Sequence, residues 1–237
     1  LHGLPTYENT HPPLGKILIS VGIAIFGMNP FGWRIIGTLF GIAMLPFLYL
    51  LGKKMTGNTP AAALACFLFA FDFMHFTLSR IGTIDIIVAC FILLTFYLMY
   101  LVLKRLKHGI DRCTVLLMIL NGCAAGAAMA TKWTGVYAGA GIALMFFLFL
   151  MREYIPAHGK RDILTLFGIC VAVYLCIPAV IYVLSYLSYP MQPGEHLLKK
   201  MWDNQVLMLT YHESTVFDHP YSSEWYEWIW MKRPLLD

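Results

Sequence analysis

Charged residues are scarce in this sequence. Asp, Glu, Lys and Arg together make up 13% of its 237 residues, whereas 59% of the residues are hydrophobic. Soluble domains typically contain about 25% charged residues, so the composition excludes an ordinary soluble domain and predicts a polytopic membrane protein. No run of lysine and arginine of the kind that binds nucleic acid is present. We therefore expect no nucleic-acid partner.

Two further signals are missing, a metal-binding cysteine motif and a signal peptide. The six cysteines have no metal-type spacing and are expected to be free thiols. The chain begins at Leu1 rather than Met, without a basic segment and small-residue cleavage site, and it ends on "RPLLD". We therefore expect it to be a piece of a longer protein.

Long apolar runs are the main feature that is present. A membrane helix needs about 17 to 25 mostly apolar residues, and we predict six crossings at Trp33–Leu51, Ala61–Leu78, Ile84–Leu103, Val115–Ala130, Val136–Met151 and Ile163–Leu187. Leu14–Met28 is short and interrupted by glycine, which predicts an interfacial or half-buried helix. The fold class is therefore an all-α transmembrane bundle. Its predicted parts are a first outer loop with the interfacial helix (1–32), a membrane region (33–187) and an outer loop segment (188–237).

Lysine and arginine are distributed unevenly between these runs. One set of connections contains Lys53, Lys54, Lys104, Arg105, Lys107, Arg112, Arg152, Lys160 and Arg161, and the opposite set contains only Arg34, Arg80 and Lys132. Because basic residues are enriched in cytoplasmic loops, the richer side is predicted to be cytoplasmic. The polar segment "YENTHPPLGK" (residues 7–16), the three isolated cations and the C-terminal segment then face the outside.

The three isolated cations lie where basic residues are disfavoured, each at the mouth of a helix. For any one of them, contact with lipid headgroup phosphates is the simpler explanation. Three on one face favour a second explanation, which is a site that holds a phosphate or diphosphate at the membrane surface. Such a site needs several fixed cations.

Two acidic residues lie within or beside the apolar runs. An acid inside a span costs about 2.5–3.5 kcal/mol on insertion scales, so each is expected to have a partner. For Asp85 the expected partner is Arg80 or the helix N-terminus, and a purely structural ion pair is an open alternative. Asp72 and His75 are interpreted as a satisfied interhelical pair rather than a functional site.

Small residues recur at every fourth position in and after "NGCAAGAAMA", namely Gly122, Gly126 and Ala130, then Gly135 and Gly139. This spacing predicts closely packed membrane helices.

The C-terminal segment contains four residues that could ligate a metal: His212, Glu213, Asp218 and His219. They lack the i, i+4 spacing of a helical zinc site, so a divalent metal is allowed but not favoured. The neighbouring aromatic residues Trp225, Tyr226, Trp228 and Trp230 are expected to anchor the segment at the membrane interface. Stacking on a sugar is the alternative.

Five sequence blocks in register resemble one family. They are "THPPLGK" (10–16), "WRIIGTLFG" (33–41), "LSRIGTID" (78–85), "ATKWTGV" (130–136) and "HPYSSEWYEW" (219–228). In this order and spacing they resemble the dolichyl- or polyprenyl-phosphate-mannose-dependent protein O-mannosyltransferases, and the short segment after Leu187 resembles the bacterial branch. The resemblance implies a GT-C membrane fold with its active site on the extracytoplasmic face, in a multi-pass protein of a bacterial plasma membrane.

The implied activity is an inverting transfer of mannose from a polyprenyl-phosphate carrier to Ser or Thr hydroxyls of exported proteins. The implied partners are this lipid-linked donor, the acceptor proteins and the bilayer, and no cofactor is expected. A carboxylate would act as general base and cations would stabilise the departing lipid phosphate. The resemblance assigns the base to an Asp-Glu pair that would precede Leu1, so no catalytic base is assigned within this chain.

The resemblance also assigns roles to individual residues. Arg34 matches an arginine that the family needs for activity, and Arg34, Arg80 and Lys132 are assigned to the donor phosphate. Five further matches form or position the active-site wall: His11, Pro12, Pro13, Asp85 and Trp133. Three more residues are expected to lie at this wall, although the resemblance does not assign them a role: Glu8, His212 and His219. One departure is Asn9, because the family often has Asp at this position, two residues before the histidine.

Two other functions remain as alternatives. A related GT-C enzyme could transfer a different lipid-linked sugar, of the aminoarabinose type, to lipid A or a cell-wall glycan, with His212 and His219 as metal or phosphate ligands. A transporter would show broken helices and acids at mid-membrane. In this chain the distinctive charges are instead predicted to gather at one face.

Overall fold

The computed structural model describes residues 9–190, 194–214 and 224–230, which are almost entirely helical. The α-helices are α1 (Leu14–Phe26), α2 (Pro30–Thr56), α3 (Thr59–Ala70), α4 (Phe73–Leu78), α5 (Asp85–Leu106), α6 (Arg112–Thr131), α7 (Thr134–Phe149), α8 (Ile155–Ala157), α9 (Lys160–Val171), α10 (Ile177–Ser185) and α11 (Leu197–Ser214). Short 3₁₀ turns cover Tyr186–Ser188 and Trp225–Trp230. The predicted all-α class is confirmed.

Within the described residues, five helical segments are long and apolar enough to cross a membrane. They are Pro30–Thr56, Asp85–Leu106, Arg112–Thr131, Thr134–Ala157 and Lys160–Ser188. Each contains or overlaps one of the predicted crossings. The predicted helix near residues 14–28 is α1, which is apolar but shorter than a span. Its position at the membrane interface stays a prediction.

The predicted crossing Ala61–Leu78 is wrong as a single helix. It is divided into α3 and α4 at Phe71 and Asp72, where Asp72 has an extended backbone and its carboxylate accepts a hydrogen bond from the backbone N–H of His75 at 2.9 Å. Asp72 therefore caps a new helix. The predicted interhelical pairing of Asp72 with His75 is also wrong, because the imidazole of His75 turns away to the carbonyl oxygen of Gly41, at 3.2 Å.

Small residues bring α6 into close contact with its neighbours. A Cβ added at Gly122 would lie 2.4 Å from the carbonyl oxygen of Val173, and one at Gly126 would lie 2.8 Å from Cα of Pro178. On the other side, a Cβ at Gly135 would lie 2.4 Å from the carbonyl carbon of Ala128. The close packing predicted from the small-residue spacing is confirmed.

In the part of the chain that the structure describes, two helices contain a π-helical turn, at Leu150–Tyr154 and at Ala172–Cys176. Each turn is followed directly by an Ile-Pro pair, which ends in Pro156 or Pro178. A proline ring clashes with the carbonyl group four residues earlier, and in both helices that carbonyl lies inside the π turn. The wider turn accommodates the proline without ending the helix.

The segment after residue 188 is not only a loop. Within its described part, Leu197–Ser214 forms α11, an 18-residue helix. One face of α11 packs on the bundle through the buried Asn204 and Met208, while Leu198, Trp202, Val206 and Leu209 are exposed. Sequence reasoning missed this helix because α11 is not apolar enough to resemble a span. Its exposed apolar stripe suits a helix lying along a membrane surface.

Candidate functional site

Three distant segments meet at one end of the bundle: the start of α1, the start of α5 and the end of α6. Pro12 and Pro13 are buried here. A Cβ added at Gly15 would lie 2.7 Å from Cγ2 of Ile84 and 2.9 Å from Cγ2 of Thr131. Only glycine fits this gap, so the sequence after the prolines brings the chain against both helices.

An ion pair lies at this junction. Nζ of Lys132 donates to Oδ1 of Asp85 at 2.6 Å, and the hydroxyl of Thr83 donates to the other carboxylate oxygen at 2.6 Å. Asp85 is also the first residue of α5, where the helix dipole favours a negative charge. The expected position of Asp85 at a helix N-terminus is confirmed. The expected ion pair with Arg80 is wrong, because the partner is Lys132, 47 residues further along the chain.

A cleft of about 410 Å³ opens beside this pair. Its polar lining comes from His11, Lys16, Ser20, Thr83 and Asp85. The cleft therefore combines a carboxylate, hydroxyls, an imidazole and an ammonium group. Such a set can bind a sugar through its hydroxyls and an anion through its cationic group.

The two arginines predicted to bind the donor phosphate, Arg34 and Arg80, lie against aromatic rings. The guanidinium carbon of Arg34 is 4.4 Å from the centroid of the Trp33 ring, and that of Arg80 is 4.3 Å from the centroid of Phe76. In the part of the chain that the structure describes, neither arginine forms an ion pair with a carboxylate. Trp33 also contacts the connection that follows Arg80, since a Cβ at Gly82 would lie 2.9 Å from its ring. Both guanidinium groups are exposed at this end of the bundle, so they are accessible to a phosphate.

The end of α11 reaches the first segment of the chain. His212 and His11 have ring centroids 5.8 Å apart, and Nε2 of His212 is 3.3 Å from the carbonyl oxygen of Thr10. On the other side, the indole N–H of Trp133 points at the hydroxyl of Tyr182, at 3.5 Å. The structure therefore brings five predicted site residues together through contacts, a shared cleft or adjacency in sequence: His11, Asp85, Lys132, Trp133 and His212.

Glu8 and His219 lie outside the described residues. Among the residues that are described, no group of three or more His, Cys, Asp or Glu side chains is arranged to hold a metal ion. That this activity needs no metal stays a prediction. The six cysteines are all free thiols, as expected.

An apolar groove lies between α7 on one side and α9 and α10 on the other, and residues of α5 and α6 also line it. It encloses about 650 Å³. Met129 and Val136 line one end, close in sequence to Lys132, and Tyr154 and Ile155 line the other. The groove therefore runs from the level of the site into the depth of the bundle.

Sequence reasoning missed several residues of the site. Lys16 and Thr83 lie inside the quoted blocks but were not singled out, although Thr83, like Lys132, donates a hydrogen bond to Asp85. Tyr182 gave no signal, because a hydrogen bond between residues far apart in sequence leaves no periodic pattern.

The fold and this site together define a polytopic all-α membrane protein with a polar, cation-containing site at one end of its helices. Comparison with known proteins gives the family. The family model of dolichyl-phosphate-mannose-protein mannosyltransferases matches residues 10–182, which is well over half of the chain. The chain belongs to this family, as its sequence blocks indicated.

Curated relatives agree with this assignment. A polyprenol-phosphate-mannose–protein mannosyltransferase of Mycolicibacterium smegmatis is 25% identical over 95% of this chain and 52% of its own length. The protein of the same name from Corynebacterium glutamicum is 26% identical over 76% of this chain and 38% of its own. Dolichyl-phosphate-mannose–protein mannosyltransferase 6 of Candida albicans is 26% identical over 55% of this chain and 19% of its own. The chain spans about half the length, at most, of these relatives.

Proposed function

We propose that the full-length protein transfers mannose from a polyprenyl-phosphate carrier to Ser or Thr hydroxyls of exported proteins. The transfer would invert the anomeric carbon and take place on the extracytoplasmic face of the membrane. The names of the mycobacterial and corynebacterial relatives support the donor and the kind of acceptor. The uneven distribution of basic residues supports the side of the membrane.

The observation that carries this proposal is that the Lys132–Asp85 ion pair connects the two environments. Asp85 lines the polar cleft, and Met129 and Val136, three and four residues from Lys132, line the apolar groove. A lipid-linked sugar phosphate is polar at one end and apolar along its length, so its enzyme needs both environments side by side. The groove residues Val136 and Ile155 are 19 positions apart, which is about 28 Å at 1.5 Å per residue. This length is close to the roughly 30 Å of a hydrocarbon core. The isoprenoid chain would lie in the groove, with its phosphate level with Lys132.

The cations would act on the leaving group. The acceptor hydroxyl attacks the anomeric carbon and loses its proton to a general base, while the bond from that carbon to the phosphate oxygen breaks. Negative charge grows on the departing polyprenyl phosphate, where Arg34, Arg80 and Lys132 would stabilise it. Lys132 has three N–H donors, of which Asp85 takes one. Asp85 would therefore orient this ammonium group, and His11, Trp133 and His212 would form the wall around the sugar.

The test is a transfer assay with a matched pair of variants on α2. The full-length protein in membranes receives polyprenyl-phosphate mannose and a Ser/Thr-rich exported acceptor, and mass spectrometry looks for a mannose increment on the acceptor. Arg34→Ala should abolish the increment and Lys54→Ala, an exposed cation at the opposite end of α2, should leave it unchanged. Normal transfer by Arg34→Ala would remove Arg34 from the site. Donor consumption only with lipid or glycan fractions would favour the aminoarabinose-type alternative.

A further inference from the structure

A continuous chain of hydrogen bonds joins the two walls of the candidate site through α11. It begins at the indole N–H of Trp133, which donates to the hydroxyl of Tyr182 (3.5 Å), and this hydroxyl donates to Oε1 of Gln205 (2.7 Å). Nε2 of Gln205 donates to the hydroxyl of Tyr186 (2.7 Å), which in turn donates to Oδ1 of Asn204 (2.8 Å). The last bond runs from Nδ2 of Asn204 to the carbonyl oxygen of Asn9 (2.9 Å). Trp133 follows Lys132 in sequence, and Asn9 lies two residues before His11.

Every bond in this chain has the same direction. The indole of Trp133 can only donate and the carbonyl of Asn9 can only accept, so the ends fix the direction, and each hydroxyl between them both accepts and donates. The two amides have no freedom to flip, because Nε2 of Gln205 also donates to the carbonyl oxygen of Met201 at 3.2 Å and Nδ2 of Asn204 donates to the carbonyl oxygen of Asn9. Hydrogen bonds that share one direction strengthen one another.

The chain is buried where it matters most. Tyr186 is 0% exposed and Asn204 is 5% exposed. A buried polar group that loses its partner costs free energy, so each link holds the next in place. Eight residues beyond Asn204, His212 makes a second contact with the same segment, at the carbonyl oxygen of Thr10. Two points of attachment fix the direction of the segment as well as its position.

We propose that Asn204 and Gln205 are positioning residues, which hold the Asn9–Pro13 wall at a fixed distance from Lys132 and Trp133. Neither residue touches the cleft, so they act through the residues they hold. The proposal rests on the proposed transferase function, because the geometry they maintain is that of the transfer site. A displacement of about 1 Å can reduce a rate by about 10²-fold, so breaking one link should impair transfer without removing any group from the cleft.

The activity test uses Tyr182→Phe and Asn204→Ala, singly and together, in the full-length protein in membranes. Each single variant should lower kcat about tenfold or more while the KM for the acceptor changes little. The double variant should be no slower than the slower single variant, because one broken link already frees the wall. The decreases in thermal midpoint of the two single variants should instead add in the double variant. Asp203→Asn, an exposed neighbour of Asn204, is the control and should match wild type.

A second readout does not depend on sugar transfer. Hydrogen exchange of the peptide covering residues 9–16 should become faster in Gln205→Glu, Tyr182→Phe and Asn204→Ala, but not in Asp203→Asn. Unchanged exchange, or rate losses that add and follow the thermal midpoints, would overturn the positioning role. If exchange responds while the wild-type protein mannosylates no acceptor, the positioning role stands and the proposed transferase function fails.

Discussion

Removal of the Asp85–Lys132 ion pair should separate its structural role from its role in transfer. A double-mutant cycle with Asp85→Asn, Lys132→Met and both together isolates the coupling between the two side chains. The matched control is Lys107 with Glu153, an ion pair of the same 2.6 Å length that involves the predicted cytoplasmic loops. Its side chains are 50% and 48% exposed, against 26% and 38% for Lys132 and Asp85.

The side-chain exposures of the two ion pairs set the expected coupling energies. Two unit charges about 4 Å apart attract by about 4 kcal/mol at an effective dielectric constant of 20, but solvent screening and desolvation offset most of this. The more exposed control pair should couple by about 0.2–1 kcal/mol. The partly buried pair should couple by about 1–2 kcal/mol, since it is less screened and Thr83 fixes its carboxylate. Both coupling energies are obtained from the free energies of unfolding of the variants in mixed micelles, measured by SDS titration.

The transfer assay on the same variants gives the second result. Lys132→Met should lower kcat/KM by about 10²–10³, the usual cost of removing one group that stabilises developing charge. The double variant should recover stability because no charge is left unpaired, yet it should stay as inactive as Lys132→Met. Lys107→Met should transfer normally. Equal coupling in the two pairs, or an active double variant, would refute the reasoning.

Three further predictions concern packing, topology and metal dependence. Gly122→Leu should destabilise the bundle by about 1–3 kcal/mol, because its Cβ would meet the backbone of Val173, while Gly141→Leu, with nothing within 4 Å of its Cβ, should melt like wild type in detergent. In a chain with its native cysteines replaced, cysteines at Gly109 and Asp203 should react with impermeant thiol reagents from opposite sides of the membrane, and same-side labelling would contradict the predicted orientation. Chelation should leave transfer largely unchanged, whereas a strong loss restored by a divalent ion would point to the aminoarabinose-type reaction.

The sequence predicted most of the helices because hydropathy is a local property. It missed the break at Phe71–Asp72, where a capping aspartate inside an apolar run looked like a buried charge. It found Asp85 and Lys132 separately but not together, since their contact spans 47 positions and Arg80 was nearer in sequence. The α11 network was out of reach for the same reason: Asn9 and Asn204 are 195 positions apart. The family blocks marked both walls of the site without showing that a hydrogen-bonded chain connects them.

The π turns at Leu150–Tyr154 and Ala172–Cys176 have a consequence for sequence alignment. A π turn contains one residue more than the α turn it replaces, so deleting one residue within it leaves the flanking helix faces in register. A deletion elsewhere in these helices would rotate everything that follows by about 100°. A relative that is one residue shorter within either helix should therefore have its gap at the π turn. Where a gap occurs, the proline that follows the turn should be replaced as well.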